Sequence, residues 1–188
     1  SEILEEGKVE NIELKRFKIG ERDLSAMLQG IPKGEYVSLY DNDSREVIMS
    51  NTPMEKRTNL DILKKANGDV LIAGLGIGLI LLPLQEKENI KSITVVEKNK
   101  EVIELIKHQL PLNSKVDVIE ADIFEYIPDK KYDTIYFDIE NFVNSDVYEE
   151  MQSLKRRFRK YLVLKSDNPD RYIKCWAEKE VKNNLPLY

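Results

Sequence analysis

Residues 69–85, DVLIAGLGIGLILLPLQ, join two apolar runs through three glycines spaced two residues apart, Gly74, Gly76 and Gly78. This order predicts a buried strand, a tight turn and a largely buried helix. Glycine permits unusual backbone dihedral angles and leaves the N–H groups at the start of a helix open to a ligand. We therefore expect these glycines to form the floor of a binding site; a tight turn without a ligand is the alternative.

The spacing of the glycines also bears on the kind of ligand. A dinucleotide-binding turn has glycines at its first and third positions and Gly or Ala at its sixth. Counted from Gly74, the sixth position is Leu79. The pattern therefore argues against a pyrophosphate on this helix, and so against a nicotinamide oxidoreductase.

Strands and helices alternate from Asp69 onward. ITVVE, VDVIEAD and YDTIYFD have the pattern of strands, and KEVIELIKHQL and SDVYEEMQSLKRRF that of amphipathic helices. This alternation predicts an α/β fold with a doubly wound, mainly parallel, Rossmann-like sheet that is covered on both faces. No sixth or seventh strand is evident, so we expect a shortened sheet whose substrate side is either open or completed by another subunit.

Two segments near the end of the chain are harder to assign. RKYLVLKS, residues 159–166, is either a fifth strand or a continuation of the helix before it. The spacing of Tyr172, Ile173, Trp176, Ala177 and Val181 predicts a closing amphipathic helix.

The first 58 residues have a different pattern, in which β-rich runs surround turn-forming residues. EYVSLYDNDSREVIMS, residues 35–50, is typical of a hairpin. We predict a small β-rich cap over residues 1–58 and a Rossmann-like cofactor-binding core over residues 59–188. Residues 50–59, SNTPMEKRTN, are either a connecting loop with Asn59 as a helix cap or a cover over the cofactor through Thr52, Met54 and Arg57.

Acidic residues end three consecutive predicted strands. Glu97 closes ITVVE, Asp122 closes VDVIEAD and Asp138 closes YDTIYFD. The carboxyl ends of parallel strands form the ligand-binding edge of such a sheet, and a carboxylate after the second strand can bind both ribose hydroxyls. The acids together with the glycines predict a nucleoside-like ligand; helix capping or simple solvation is the alternative for any one of them.

The composition excludes several other classes of function. The chain of 188 residues has a formal charge of −5, which disfavours binding along a nucleic-acid backbone. Its single Cys and single His rule out a Cys/His zinc cluster, and we expect no metal site. Neither a membrane span nor a secretory signal is visible, so a cytoplasmic protein is expected. The basic run at residues 155–160 is expected to be a solvated helix face, with an acidic partner as the alternative.

DVLIAGLGIG, ITVVEK, VIEADIFEY and YDTIYFDI together resemble the class I S-adenosylmethionine-dependent methyltransferase fold, over about residues 60 to 165. The β-rich cap before this core is similar to that of the spermidine synthase branch. The segment MSNTPMEKRTN followed by the core also resembles small bacterial and phage methyltransferase-like proteins.

The resemblance implies S-adenosylmethionine as the cofactor and a role for each motif residue. It implies that Gly74, Gly76 and Gly78 lie beneath the methionine and ribose, and that Glu97 binds the ribose hydroxyls. The remaining implied roles are as follows: Lys98 near the adenine edge, Asp122 on the exocyclic amine, Ile123 against the adenine ring, and Asp138 as the catalytic residue nearest the transferred group. Lys98 is equally compatible with an exposed position.

The leading hypothesis is a methyltransferase that acts on an unidentified polar acceptor, with a small-molecule substrate and a homo-oligomer as an open possibility. If the acceptor is an amine, Asp138 can hold it, and Tyr136 or Glu140 could assist unless Tyr136 serves only in packing. An aminopropyltransferase and a non-catalytic adenosyl-binding module are the alternatives. The residues after Asp138, DIENFVN, lack a second strong substrate-gripping group, which weakens the aminopropyl reading.

Overall fold

The computed structural model describes residues 3–28, 30–139, 145–183 and 185, without the side chains of residues 145 and 146. The strands are β1 Gly7–Val9, β2 Ile12–Ile19, β3 Gly34–Asp41, β4 Glu46–Ser50, β5 Gly68–Ala73, β6 Ile90–Glu97, β7 Val116–Glu120, β8 Thr134–Phe137 and β9 Tyr172–Cys175. The helices are α1 Leu24–Leu28, α2 Pro53–Thr58, α3 Leu60–Lys65, α4 Leu81–Gln85, α5 Lys100–Ile106, α6 Ser145–Phe158 and α7 Glu178–Lys182. Within these ranges no helix combines the length and the apolar character that crossing a membrane requires.

The central sheet has the strand order β7-β6-β5-β8-β9, and all neighbouring strands are parallel. The chain runs outward from β5 in one direction and later returns to its other side, so the topological switch lies between β5 and β8. Ligands bind at the carboxyl edge of such a sheet near this switch. The prediction of an α/β, doubly wound, Rossmann-like core is confirmed.

Both faces of the sheet are covered, as the uninterrupted apolar pattern of β5 predicts. Val70 and Ile72 belong to a core cluster shared with α3, α4, α5 and the cap, whereas Leu71 and Ala73 belong to a second cluster under α6. Successive strand residues point to opposite faces, so this division follows from the geometry of the strand.

The cap is a four-stranded antiparallel sheet in the order β1-β2-β3-β4, which bears out the β-rich N-terminal extension. Strands β1 and β2 contact α5. Ile12, Leu14, Leu39 and Met49 lie in the same buried cluster as β5 and α5. The cap is therefore fixed directly on the core, above the edge where a ligand would bind.

The prediction of a closing helix from Tyr172 is wrong for its first half. Tyr172–Cys175 is β9, and the helix α7 covers only Glu178–Lys182. Residues 159–166 contain neither a regular strand nor a longer helix, since a 3-10 turn spans Arg159–Tyr161 and Leu162 makes a single bridge to Tyr132. Pairing with β8 overrides the helical spacing, because Tyr172 and Trp176 donate their N–H groups to the carbonyls of Asp133 and Phe137.

Candidate functional site

A cavity of about 790 Å³ opens at the carboxyl edge of the central sheet, beneath the cap. The core contributes the ends of β5, β6 and β8 and the turn after β7, and the cap contributes β4 and α2. The described lining includes seven of the eight residues assigned to the site from sequence, namely Gly74, Gly76, Glu97, Lys98, Asp122, Ile123 and Asp138. Gly78 is absent from that lining.

Gly74 and Gly76 bring the turn after β5 close to its neighbours. Gly74 has φ +100°, and a Cβ on it would collide with the main-chain carbonyl oxygen of Asp138. Gly76 has φ +50°, and a Cβ on it would collide with Met49 of the cap. Both residues line the cavity, so the backbone itself forms part of its wall.

Gly78 serves packing in this structure. A Cβ on Gly78 would meet the side chain of Leu110, which is buried in the core. The structure thus does not bring Gly78 to the cavity with the other two glycines, and its assignment to the cofactor stays a prediction.

Glu97, the last residue of β6, is held by two backbone N–H groups. Leu75 donates to Oε2 and Asn99 donates to Oε1, each at 2.9 Å. Burial raises the pKa of Glu97, and these two N–H groups and the charge of Lys98 oppose that effect. A carboxylate offers about four acceptor positions, so both oxygens remain able to accept from a diol.

Asp122 and Ile123 lie in the turn that follows β7. The Asp122 carboxylate accepts from the Phe124 N–H at 2.9 Å, and its carbonyl accepts from Tyr126 N–H at 2.8 Å. Ile123 is buried but borders the cavity. An apolar side chain next to a carboxylate is suited to a flat heterocycle with an amino group.

Arg157 of α6 fixes this turn from behind. Its guanidinium donates to the carbonyls of Ile123, Phe124 and Tyr126. The expectation of a solvated basic face at residues 155–160 is therefore wrong for Arg157. It is also wrong for Lys155, which forms a 2.6 Å ion pair with Glu178 and is 12% exposed.

Asp138 follows β8 directly and borders the cavity. Burial raises the pKa of Asp138 to about 8, with further contributions from the negative charges of Glu55 and Glu97. Near neutral pH, Asp138 is thus mostly a neutral acid that can donate or accept a hydrogen bond.

Lys98 is exposed and also lines the cavity.

The cap contributes residues that the sequence did not single out. Glu55 of α2, which is 8% exposed, and Met49 of β4 line the cavity from the cap. Burial raises the pKa of Glu55 to about 7, against the effect of a hydrogen bond from the Ser50 N–H. The segment SNTPMEKRTN, residues 50–59, was the only indication in the sequence that this part of the cap could cover a ligand. Of the residues considered in it, Met54 is in the described cavity lining, and Thr52 and Arg57 are not.

Tyr136 packs in the core instead of bordering the cavity. Its hydroxyl donates to Oδ1 of Asn59 at 2.9 Å, and Nδ2 of Asn59 donates to the Glu55 carbonyl. Asn59 does not cap α3 through its side chain. Glu140, the other residue considered as an assistant to Asp138, lies outside the described residues.

One cavity thus brings together the glycine-rich turn after β5, the buried carboxylate of Glu97 on β6 and Asp138 after β8. Residues 57–152 match the family model described as methyltransferase small domain. The chain belongs to this family. Its core has the class I methyltransferase fold, in agreement with the resemblance found in the sequence.

Several solved methyltransferase structures are similar to part of this chain. The DhpI–SAM–HEP complex is 20% identical, over 58% of this chain and 49% of the other, with a TM-score of 0.44. The N-methyltransferase NodS from Bradyrhizobium japonicum WM9 is 17% identical, over 60% of this chain and 65% of the other, with a TM-score of 0.48. Coclaurine N-methyltransferase bound to N-methylheliamine and SAH is 21% identical, over 58% and 32%, with a TM-score of 0.42. The chain thus spans less than two thirds of each of these proteins.

Proposed function

We propose that this protein is an S-adenosylmethionine-dependent methyltransferase that acts on a polar acceptor. The observation that carries the proposal is that Gly74 and Gly76 of the turn after β5 line one cavity together with Glu97. A side chain on either glycine would collide with Asp138 or Met49, so the close approach of the turn to these neighbours requires glycine. Membership of the methyltransferase small domain family supports the same reaction class.

The residues of the cavity fit an adenosyl ligand. Glu97 retains acceptor capacity for the two ribose hydroxyls after binding Leu75 and Asn99. Asp122 and Ile123 offer an acceptor and an apolar surface to the adenine, and exposed Lys98 lines the same cavity. The bound cofactor supplies an activated methyl group on a sulfonium.

Catalysis then depends mainly on orientation, because an activated methyl donor needs an aligned nucleophile and little covalent help. Asp138 lies after β8 at the switch point, where it can bind the nucleophilic group of the acceptor. Its raised pKa suits a group that exchanges a proton with the acceptor near neutral pH.

The binding of ligands tests the proposal directly. We expect S-adenosylmethionine and S-adenosylhomocysteine to raise the unfolding temperature, since a ligand at 100 times its Kd stabilises the folded state by about 2.7 kcal/mol. Stabilisation by NAD alone would show that the proposed ligand class is wrong. Binding without formation of S-adenosylhomocysteine with any acceptor tested would favour the non-catalytic module.

Glu97→Gln tests the ribose contact and keeps the side-chain shape. We expect S-adenosylhomocysteine to bind at least about tenfold more weakly, because charge-assisted hydrogen bonds to the sugar are lost. Glu120→Gln is the matched control, since Glu120 pairs in register with Glu97 at the end of β7 but is exposed and outside the cavity lining. Equal calorimetric Kd values for the two variants would refute the ribose assignment.

Aminopropyl transfer is the second candidate, and the charge of the cavity favours it. Lys98 is the one basic residue among the described residues of the lining, so little there would receive the carboxylate of intact S-adenosylmethionine. This candidate predicts that decarboxylated S-adenosylmethionine stabilises the protein more than S-adenosylmethionine does. The opposite order would eliminate it.

A further inference from the structure

The cavity gathers acidic side chains from elements far apart in the sequence. Seven of the described lining residues are Asp or Glu, against one lysine. Asp41 and Glu46 come from the cap hairpin, Glu55 from α2, and Glu97 and Asp138 from the central sheet. An adenosyl ligand accounts for Glu97 and Asp122. Asp41 accepts hydrogen bonds from Asn11 Nδ2 and the Asp43 N–H within the cap, so Glu46 and Glu55 are the cap carboxyls left without a role.

Glu55 is the most deeply buried of these cap carboxyls. It is 8% exposed and lies close enough to Asp138 for its charge to raise the pKa of that residue. Each of two buried carboxyl groups disfavours ionisation of the other, and a cation between them would compensate both the repulsion and the cost of burial. The Glu55–Asp138 pair is therefore suited to a positively charged group in the cavity.

The position of Glu55 is fixed from both the cap and the core. Its carbonyl accepts from Asn59 Nδ2, and Asn59 in turn accepts from Tyr136 of β8. The next turn of the chain is held by Trp176, whose Nε1 donates to Thr58 Oγ1 at 3.0 Å. Helix α2 thus carries Glu55 on a support that includes both β8 and the end of β9.

We propose that the acceptor is a cationic amine and that Glu55 binds its ammonium group across from Asp138. This inference rests on the proposed function and names its substrate class. When the acceptor reacts, its ammonium first gives a proton to a carboxylate of the Glu55–Asp138 pair. The nitrogen lone pair then forms the N–C bond, the C–S bond breaks, and its electrons remain on sulfur as a neutral thioether. The proton leaves the carboxylate for solvent.

The test is calorimetric binding of 1,4-diaminobutane, with 1,4-butanediol as the uncharged control, in the presence and absence of S-adenosylhomocysteine. We expect the diamine and not the diol to bind the wild-type protein. Glu55→Gln should weaken diamine binding at least about tenfold, and Glu55→Asp should recover part of the loss. Glu149→Gln, an exposed position outside the cavity lining, should change the Kd less than about twofold.

Gln at position 55 has nearly the same shape as the protonated acid, and an unchanged unfolding temperature would report an intact fold. Equal diamine affinity of wild type and Glu55→Gln, or binding of the diol in preference to the diamine, would overturn the inference. Binding of S-adenosylhomocysteine without any diamine binding would overturn it and leave the proposed function standing. Diamine binding through Glu55 without S-adenosylhomocysteine binding would support the cation site and refute the proposed function.

Discussion

Gly76 is required for two reasons: the turn after β5 has a left-handed backbone at this position, and Met49 of the cap occupies the space beside it. Gly76 has φ +50°, and Met49 Sδ occupies the space that a Cβ would take. Gly30 has a similar φ of +65°, but among the described residues no atom lies within 4 Å of the position of a Cβ. Alanine substitutions at the two positions can therefore distinguish the cost of backbone strain, which both share, from the cost of a steric collision, which arises only at Gly76.

Gly76→Ala is expected to destabilise the protein more than Gly30→Ala does. A left-handed conformation costs a non-glycine residue about 1–2 kcal/mol, and this cost applies to both variants. Only Gly76→Ala adds a collision with Met49, so its loss of unfolding free energy in urea should be larger by at least about 1 kcal/mol.

A double-mutant cycle with Met49→Ala provides the check. If the collision is the cause, Met49→Ala should reduce the additional cost of Gly76→Ala. Equal losses for Gly76→Ala and Gly30→Ala would mean that Met49 moves aside freely, and the cap would then not constrain the turn.

Asp138 makes stability depend on pH. Its pKa is raised to about 8 by burial, Glu55 and Glu97, so the folded state holds a proton that the unfolded state releases near pH 4. Its contribution to stability is complete below about pH 4 and is lost as pH rises toward 8. Asp138→Asn should therefore match wild type near pH 4.5 and exceed it by at least about 1 kcal/mol at pH 8.5 in urea unfolding.

Asp61→Asn is the control of opposite sign. Burial raises the pKa of Asp61, but hydrogen bonds from Lys174, Lys65 and Tyr172 prevail and lower it to about 2. Its contribution is present above about pH 4 and is lost as pH falls toward 2, so the effect of Asp61→Asn should be constant between pH 4.5 and 8.5. A constant difference for Asp138→Asn as well would contradict the raised pKa.

At the scale of elements, α6 lines the cavity through Glu150 and also fixes a turn at its edge. Val147, Met151, Leu154 and Phe158 form its buried stripe, as the helical spacing in the sequence predicts. From the same helix, Arg157 binds three carbonyls of the turn that carries Asp122 and Ile123. The helix therefore determines the position of the proposed adenine contacts.

Arg157→Ala is expected to weaken binding of S-adenosylhomocysteine about tenfold or more, which corresponds to about 1.4 kcal/mol. The reason is that the turn loses the planar donor group that holds its carbonyls together. Arg157→Lys should recover little, because an ammonium cannot reproduce the guanidinium fork. The measurement is the calorimetric Kd.

Arg156→Ala is the matched control for this prediction, since Arg156 neighbours Arg157 on α6 but is exposed. It should leave the Kd within about twofold of wild type. A loss of the same size for both variants would indicate a general effect of positive charge and would contradict the role assigned to Arg157.

The end of the chain illustrates what periodicity misses at this scale. Tyr172, Ile173 and Trp176 recur at helical spacing, yet Tyr172–Cys175 is an edge strand. A run of four residues is too short for periodicity alone to distinguish a strand from a helix. The segment becomes a strand because it pairs with the backbone N–H and C=O groups along the edge of β8, and that edge exists only once the sheet has formed.

At the scale of the whole molecule, cap and core share one hydrophobic cluster. Leu14 and Leu39 of the cap are buried in the same cluster as Ile72 of β5 and Ile106 of α5. The boundary predicted near residue 58 thus divides two sheets that are packed on a common core. We infer that the two parts fold as one cooperative unit.

Leu39→Ala tests this cooperativity. The side chain is 0% exposed, so truncation should cost about 2–5 kcal/mol of unfolding free energy. We expect one transition at a lower denaturant concentration, the same whether it is followed by far-UV circular dichroism or by Trp176 fluorescence. Separate transitions for the two signals would mean that the cap unfolds on its own and would support independent domains at residues 1–58 and 59–188.

The sequence by itself determined the α/β core and the presence of Gly74, Gly76 and several acidic residues at the carboxyl edge of its sheet. These features depend on local physics, namely the strand and helix periods and the backbone freedom of Gly74 and Gly76. Only the tertiary structure decided that Gly78 packs on Leu110, that Arg157 holds the turn after β7, and that Glu55 lines the same cavity as Asp138. Each of these features joins residues far apart in the chain, and its energy depends on burial and charge that appear only once the chain has folded.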